Sequence, residues 1–107
     1  MSAAMNGLCL SGFKAFGSTF FTFLDYLKPA LRLSALMHIA PVYVFTHVSF
    51  LIGVDGPTHQ PIEHLASLRS MPNINVIRPA DAIESGEAWQ ISIAEKTKPT
   101  AIMFSRQ

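Results

Sequence analysis

An uncharged span between Arg32 and Asp55 limits the possible folds of this chain more than any other feature. The span is long enough for a transmembrane helix, which needs about 20 apolar residues. However, Pro41 interrupts it, and a proline forces the residue before it towards an extended backbone. Residues 42–45 (VYVF) are β-branched or aromatic and therefore favour a strand. We expect a helix end, a turn, a buried strand and a loop, and no membrane segment.

Strand-like and helix-like segments alternate along the whole sequence. The predicted strands are residues 19–21, 42–45, 74–77 and 100–104. The predicted helices are residues 1–10, 22–37, 61–69 and 82–98. This alternation is typical of an α/β fold, in which a parallel sheet with right-handed crossovers is covered by flanking helices. Ligands of such sheets bind beyond the carboxyl ends of the strands, where His47, Arg78 and Arg106 are expected.

Two of the predicted helices have apolar residues at helical spacing, which predicts the face that each one buries. In the second helix these residues are Phe23, Tyr26, Leu27, Ala30, Leu33, Leu36 and Met37. In the last helix the predicted core contacts are Ile83, Trp89, Ile91 and Ile93. Asp81 and Glu84 match a capping box at the start of this last helix.

The composition fits a single domain over residues 1–107. Eight basic and seven acidic residues give a net charge of +1, so neither nucleic acid nor a membrane is an expected partner. Hydrophobic residues make up 50% of the chain, which predicts apolar surface that a protein partner covers. Cys9 is the only cysteine, so no internal disulfide can form, and a reducing, cytoplasmic location is expected.

Residues 55–61 (DGPTHQP) have the strongest signs of a functional site. This loop carries a carboxylate (Asp55), a threonine hydroxyl and an imidazole (His59), and a second imidazole, His47, precedes it. Taken alone, such residues are usually a turn-forming Asp-Gly pair and two structural histidines. No metal site is predicted, because the possible ligands lack the compact spacing of preformed ligand pairs. These possible ligands are His47, Asp55, His59 and His64.

Several segments resemble a known family. They are residues 4–7 (AMNG), 19–26 (TFFTFLDY), 43–47 (YVFTH), 55–69 (DGPTHQPIEHLASLR), 78–81 (RPAD) and 105–107 (SRQ). Together they resemble the pyrimidine-binding domain of transketolase over nearly the whole chain. Related thiamine diphosphate enzymes share only a shorter DGxTH element, so the long run that begins at Asp55 favours transketolase. The resemblance implies the thiamine diphosphate-binding, pyrimidine-domain fold, in an incomplete form.

The resemblance implies an enzyme that transfers a two-carbon ketol unit between sugar phosphates in the pentose phosphate pathway, with thiamine diphosphate as cofactor. In the family the cofactor lies between the two subunits of a homodimer. This chain would hold the aminopyrimidine, whereas a domain absent from it would hold the diphosphate and a divalent metal such as Mg²⁺. The expected partners are therefore sugar phosphates, the remaining transketolase domains and a second subunit. The chain alone is expected to be inactive.

Phe20, Phe23 and Tyr26 are spaced by three residues, which on a helix places them on one face. Aromatic residues at this spacing are most often part of a core. The resemblance implies instead that they bind the cofactor by packing around its aminopyrimidine ring, because aromatic faces suit a flat heterocycle.

The resemblance also implies roles for four polar residues. His59 and His47 are both expected to be catalytic and to bind the substrate. His59 would donate a proton near the donor-ketose carbonyl, and His47 would contact the substrate and the reaction intermediate. Asp55 would accept a hydrogen bond from a substrate hydroxyl. Arg106 would bind the sugar phosphate through its planar guanidinium, the alternative being an exposed terminal residue without a role.

Two departures from the family pattern keep a second hypothesis open. A glutamate that contacts the pyrimidine in the family would precede Met1. Residues 50–54 (FLIGV) replace a glycine-rich, acidic loop, and a left-handed backbone at Leu51 would cost about 1–2 kcal/mol. The alternative function is therefore a non-catalytic remnant, an interaction subunit that keeps the fold.

Overall fold

The computed structural model describes residues 1–48 and 53–105, which form a parallel sheet between layers of helices. The helices are α1 (Ser2–Leu10), α2 (Leu24–Leu36), α3 (His64–Arg69) and α4 (Ala82–Ala94). The strands are β1 (Phe16–Phe20), β2 (Val42–Thr46), β3 (Asn75–Ile77) and β4 (Thr100–Met103). Two 3-10 turns lie at Phe21–Phe23 and Pro57–His59. Among these described helices, none is long and apolar enough to cross a membrane.

The strands are ordered β1-β2-β4-β3 and are all parallel, so β2 and β4 form the centre of the sheet. Side chains of a strand alternate between its two faces. Tyr43 and Phe45 of β2 belong to the larger core, which α1 and α2 cover, whereas Val42 and Val44 pack with Ala88 of α4. The predicted α/β fold with a parallel sheet and flanking helices is confirmed.

Most predicted elements are present with shifted boundaries. β1 begins at Phe16, earlier than predicted, and the helix predicted at residues 61–69 begins only at His64. The second predicted helix is two elements, the turn at Phe21–Phe23 and α2, which continues across Pro29. Proline lacks a backbone N–H, so Pro29 removes one hydrogen bond of α2 without ending the helix.

The predicted apolar face of α2 is wrong in part, since Tyr26, Leu33 and Leu36 are exposed. The residues that α2 buries are Leu24, Leu27, Leu31, Ser34 and Ala35. Ser34 can lie in the core because its hydroxyl donates to Asn6 Oδ1 at 2.6 Å, and a buried polar group is stable when it is hydrogen-bonded. The face that α2 buries is therefore displaced from the face that carries only apolar residues.

The predicted core contacts of α4 are also wrong in part. Three of the four residues predicted to be buried are exposed, namely Ile83, Ile91 and Ile93. The helix buries the small residues Ala88 and Ser92, with Trp89 packed partly buried beside them, because small side chains let a helix lie close to a sheet. The predicted N-cap is confirmed, because the Glu84 N–H donates to Asp81 Oδ1 at 2.9 Å. The return bond of the capping box is shifted by one residue, since Glu84 Oε2 accepts from the Ala80 N–H at 2.7 Å.

A buried polar network fixes α1 against α2 and β2. The Tyr43 hydroxyl lies 2.9 Å from Ser2 Oγ and 3.0 Å from Ser34 Oγ. The Asn6 amide donates to the backbone carbonyl of Ala30 at 2.9 Å. Burial raises the pKa of Tyr43, which keeps its hydroxyl neutral and able to donate. Because directional bonds join all three elements, the network specifies one position for α1.

Acid is expected to weaken the turn that follows α4. Glu95 accepts hydrogen bonds from the Thr97 N–H (2.8 Å) and hydroxyl (2.9 Å), from Asn75 (3.2 Å) and from the Lys96 N–H (2.9 Å). These bonds, led by the one from the Thr97 backbone, lower the pKa of Glu95 to about 2. A lowered folded-state pKa contributes stability above the unfolded-state pKa of about 4.3, and this contribution is lost as the pH falls towards 2.

Urea unfolding at a series of pH values checks this expectation. Between about pH 6 and pH 3, the free energy of unfolding should fall less steeply in Glu95→Gln than in the unchanged chain. Glu87→Gln, on the exposed side of α4, is the matched control and should leave the slope unchanged. Equal slopes for Glu95→Gln and the unchanged chain would contradict the assignment.

Candidate active site

The candidate site begins where two neighbouring strands end at the same edge of the sheet. β1 pairs in parallel with β2, and the last pair in register is Phe20 with Thr46. His47 follows directly, and its ring centroid lies 4.1 Å from that of Phe20. Parallel pairing therefore brings a predicted cofactor residue against a predicted substrate residue.

The 3-10 turn after β1 sets the positions of two further aromatic rings. The ring of Phe23 is nearly parallel to that of Phe20, with an interplanar angle of 5° and centroids 6.1 Å apart. Tyr26 lies 6.0 Å from Phe23 and is 84% exposed. The three rings do not share one helix, as their spacing suggested, because α2 begins only at Leu24. A strand end, a turn and the first turn of α2 place them side by side instead.

His59 reaches the same group of rings from the loop after β2. Its ring centroid lies 5.4 Å from that of Phe23 and 6.0 Å from that of Phe20, edge-on in both cases. The Thr22 hydroxyl donates to the carbonyl of Thr58 at 3.2 Å, which holds this loop against the turn after β1. The resulting group of five rings, here called the aromatic cluster, consists of Phe20, Phe23, Tyr26, His47 and His59.

The loop between the two histidines has an unusual backbone. His47 and Val54 both have a φ of +64°, and Gly56 has a φ of +72°. A left-handed conformation is ordinary for glycine but strained for a β-branched residue such as valine. The strain predicted at Leu51 lies outside the described residues. The strain at Val54, whose side chain is 98% exposed, was not predicted from the sequence.

Val54→Gly is expected to stabilise the chain. Glycine removes the left-handed strain of about 1–2 kcal/mol but gives up about 0.5–1 kcal/mol of backbone entropy, so the net gain should be about 0.5–1 kcal/mol. The free energy of unfolding in urea measures this gain. Val54→Ala keeps a Cβ atom and should gain less, so an equal gain in both variants would assign the effect to the β-branch alone.

Arg78 and Val48 fix the beginning of this loop. Arg78, directly after β3, donates from Nη2 to the carbonyl of Val48 at 3.2 Å. The Val48 N–H donates to the carbonyl of Phe104 at 3.1 Å, and the Val48 side chain is buried. The sequence placed Arg78 at a strand end without a role, whereas the structure shows that it anchors the backbone next to His47.

The structure describes one of the two remaining predicted substrate residues. Asp55 is half-buried on the loop that carries His59, and its N–H donates to the carbonyl of Gly53 at 2.9 Å. Arg106 lies outside the described residues, so its predicted contact with a phosphate stays a prediction.

An open cavity of about 340 Å³ adjoins the aromatic cluster. Phe23 and Tyr26 line one part of it, and the other lining residues are Met1, Ser2, Ala3, Thr19, Leu27 and Ala30. A cavity of this size accepts a small organic ring. Its aromatic wall suits a flat heterocycle, and the half-buried Thr19 hydroxyl could hydrogen-bond the polar edge of such a ring.

Comparison with known families agrees with this geometry. A family model described as the transketolase pyrimidine-binding domain matches residues 1–107, the whole chain. The chain belongs to this family. The predicted resemblance to the transketolase pyrimidine-binding domain is therefore confirmed.

Individual transketolases are similar to this chain in sequence and in structure. The transketolases of Geobacillus stearothermophilus and Bacillus subtilis (strain 168) are 58% and 54% identical to this chain over 108 residues. These alignments cover 100% of this chain and 16% of either relative. The crystal structure of a Campylobacter jejuni transketolase matches with a TM-score of 0.94 at 49% identity, over 100% of this chain and 17% of that one.

A second solved structure, a Pichia stipitis transketolase in complex with sedoheptulose 7-phosphate, matches with a TM-score of 0.95 at 44% identity. The match covers 100% of this chain and 16% of that one. This chain thus spans about one sixth of the length of the transketolases that it matches.

Proposed function

We propose that this chain forms the pyrimidine-binding wall of a thiamine diphosphate-dependent transketolase, which moves a two-carbon ketol unit from a ketose phosphate to an aldose phosphate. The observation that carries this proposal is the aromatic cluster beside an open cavity, at the carboxyl ends of the parallel strands β1 and β2. Parallel sheets bind their ligands beyond the carboxyl ends of their strands.

The residues around the cavity fit the aminopyrimidine of the cofactor. Phe20, Phe23 and Tyr26 offer the aromatic faces that a flat ring needs, and Phe23 and Tyr26 line the cavity. When bound, thiamine diphosphate supplies the carbanion chemistry of the reaction. We assign the diphosphate and a divalent metal such as Mg²⁺ to other domains of the enzyme. The task of this chain is then to hold and orient one end of the cofactor.

The two histidines of the aromatic cluster would act on the sugar. Imidazole exchanges protons with oxygen atoms near neutral pH. We assign His59 to proton donation near the donor-ketose carbonyl and His47 to contact with the substrate and the intermediate. The Phe20 ring contacts both imidazoles, with centroids 4.1 Å from His47 and 6.0 Å from His59. Asp55 would accept a hydrogen bond from a sugar hydroxyl, and Arg106 would bind the sugar phosphate.

Sugar phosphates are the proposed substrates because the Pichia stipitis relative is described in complex with sedoheptulose 7-phosphate. We further propose that the working enzyme is a homodimer in the cytoplasm, with each cofactor between two subunits. Such an assembly would cover exposed apolar residues of this chain, among them Tyr26, Leu33 and Leu36.

A second candidate function is that of an interaction subunit without catalysis. The observation that favours it is the strained backbone at Val54, in the loop that leads to Asp55 and His59. A loop that has lost its glycine-rich character could hold the fold without placing the catalytic groups. The aromatic cluster argues for the catalytic function, because all five of its predicted members lie together.

Co-expression with the remaining domains of a transketolase separates the two functions. With thiamine diphosphate, Mg²⁺, xylulose 5-phosphate as donor and an aldose phosphate as acceptor, the assembled enzyme should transfer the ketol unit, whereas the chain alone should not. A complex that forms but does not turn over supports the interaction subunit. Turnover by the chain alone would contradict the proposed division of the site between domains.

A further inference from the structure

A second group of polar side chains lies where α2 and α3 begin. Asp25 is in the first turn of α2, and Glu63 and His64 are at the start of α3. One metal-ligating atom from each of the three lies within 4.8 Å of the others. Lys28 donates to the hydroxyl of Ser67, one turn further along, which keeps the two helices side by side.

His64 is buried without satisfying its polar atoms. Its side chain is only 5% exposed and packs against the ring of Phe21, with centroids 5.8 Å apart. Nε2 lies 3.3 Å from Asp25 Oδ1 and Nδ1 lies 3.7 Å from Glu63 Oε2, yet within residues 1–48 and 53–105 neither nitrogen has a hydrogen-bond partner. The 3.3 Å separation is short enough for a hydrogen bond, but the angle at which the carboxylate approaches Nε2 does not allow one. Buried polar atoms are nearly always satisfied, so Nε2 of this imidazole points to a ligand beside Asp25, towards which the exposed Glu63 carboxylate would move from its place near Nδ1.

We propose that Asp25, Glu63 and His64 bind a first-row transition metal ion of the Zn²⁺ type. Zn²⁺ binds imidazole nitrogen and carboxylate oxygen at about 2.0–2.2 Å, so two of its tetrahedral ligands lie about 3.3 Å apart. The separation of His64 Nε2 from Asp25 Oδ1 has this length. One nitrogen and two oxygen ligands suit Zn²⁺ better than Mg²⁺, which prefers oxygen ligands alone.

The surroundings allow an ion to enter and to complete its coordination. The side chains of Asp25 and Glu63 are 63% and 73% exposed, so they can adjust their positions, and water can occupy a remaining coordination position. His64 is held in place by its burial and supplies the rigid ligand. Sequence spacing missed this group because Asp25 is remote from Glu63 and His64 along the chain.

The bound ion would connect the two segments that supply the aromatic cluster. Asp25 directly precedes Tyr26, and Glu63 follows His59 on the same segment. A metal bridge between them would restrict the movement of His59 relative to the aromatic rings. The metal site itself does not depend on the proposed transketolase function.

Calorimetric titration of the metal-free, 107-residue chain with Zn²⁺ tests the proposal, and visible absorption of Co²⁺ reports the coordination. We expect one equivalent to bind, and an excess of Mg²⁺ should not displace it. Asp25→Asn, Glu63→Gln and His64→Gln should each weaken binding about tenfold or more. His38→Gln is the matched control, because this exposed histidine contacts Asn73 outside the site. The His38→Gln variant should bind Zn²⁺ with unchanged affinity.

The carboxylate variants make the test decisive. Asp25 and Glu63 are largely exposed, so their amide variants should fold even if His64→Gln does not. Unchanged Zn²⁺ affinity in both carboxylate variants would overturn the proposal, because the ion would then bind elsewhere, for example at His47 and His59. Absence of saturable Zn²⁺ binding to the unchanged chain would also overturn it.

Discussion

In an enzyme assembled from this chain and the remaining transketolase domains, we expect His59→Ala to lower kcat/KM about 100-fold or more. The rings of Phe23 and Phe20 hold the His59 imidazole edge-on, so it is positioned before a substrate binds. The Thr58 hydroxyl lies 3.0 Å from Nδ1, and we therefore assign proton exchange with the sugar to Nε2. Initial rates with xylulose 5-phosphate as donor measure the effect.

His38→Ala is the matched control for this experiment. His38 is exposed and lies 3.2 Å from the side chain of Asn73, outside the aromatic cluster, so its removal should leave kcat/KM within about twofold. His59→Gln keeps the size of the side chain but cannot donate a proton as an imidazolium, and it should be nearly as impaired as His59→Ala. A loss of less than about tenfold in both His59 variants would contradict a catalytic role.

Phe45→Ala should have the largest effect on stability, a loss of about 3–5 kcal/mol in the free energy of unfolding. Phe45 is fully buried in the central strand β2, with its ring centroid 5.1 Å from Phe21 and 6.4 Å from Tyr43. Truncation removes a large apolar surface and leaves a cavity between β2 and the helices. Because small domains have only about 5–15 kcal/mol of stability, the loss is a large fraction of the total. Urea unfolding followed by circular dichroism measures it.

Phe16→Ala is the control on the edge of the same sheet. The Phe16 ring is exposed and meets the ring of Trp89 edge-on at 5.8 Å, so its loss should cost about 1 kcal/mol or less. Similar losses for Phe16→Ala and Phe45→Ala would show that the larger core described around β2 does not dominate the stability of the chain.

The fold could be predicted from the sequence because its strands are short, apolar and separated by helix signals. Asp81 and Glu84 located the start of α4, and residues 42–45 located the central strand. The buried faces of the helices could not be predicted equally well. Ser34 and Ser92 lie in the core because their hydroxyls are hydrogen-bonded, a property that depends on packing rather than on spacing.

The candidate site was predicted mainly by resemblance. Spacing alone favoured a simple core for Phe20, Phe23 and Tyr26, and only the tertiary structure brings their rings together with the two histidines. The left-handed backbone at Val54 and the anchoring bond from Arg78 depend on loop geometry, which no local pattern encodes. The contact between His64 and Asp25 joins two helices and was invisible for the same reason.

The order of the strands also affects how the molecule is made. β2, which leads into His47, pairs with β1 on one side and with β4 on the other, so that Val42 meets Thr100. During synthesis β1 and β2 can meet early, whereas the second edge of β2 stays unpaired until β4 leaves the ribosome. Pairing of distant segments is slow, and an unpaired strand edge readily joins other chains. Aggregation therefore competes most strongly with folding in the interval between the synthesis of β2 and that of β4.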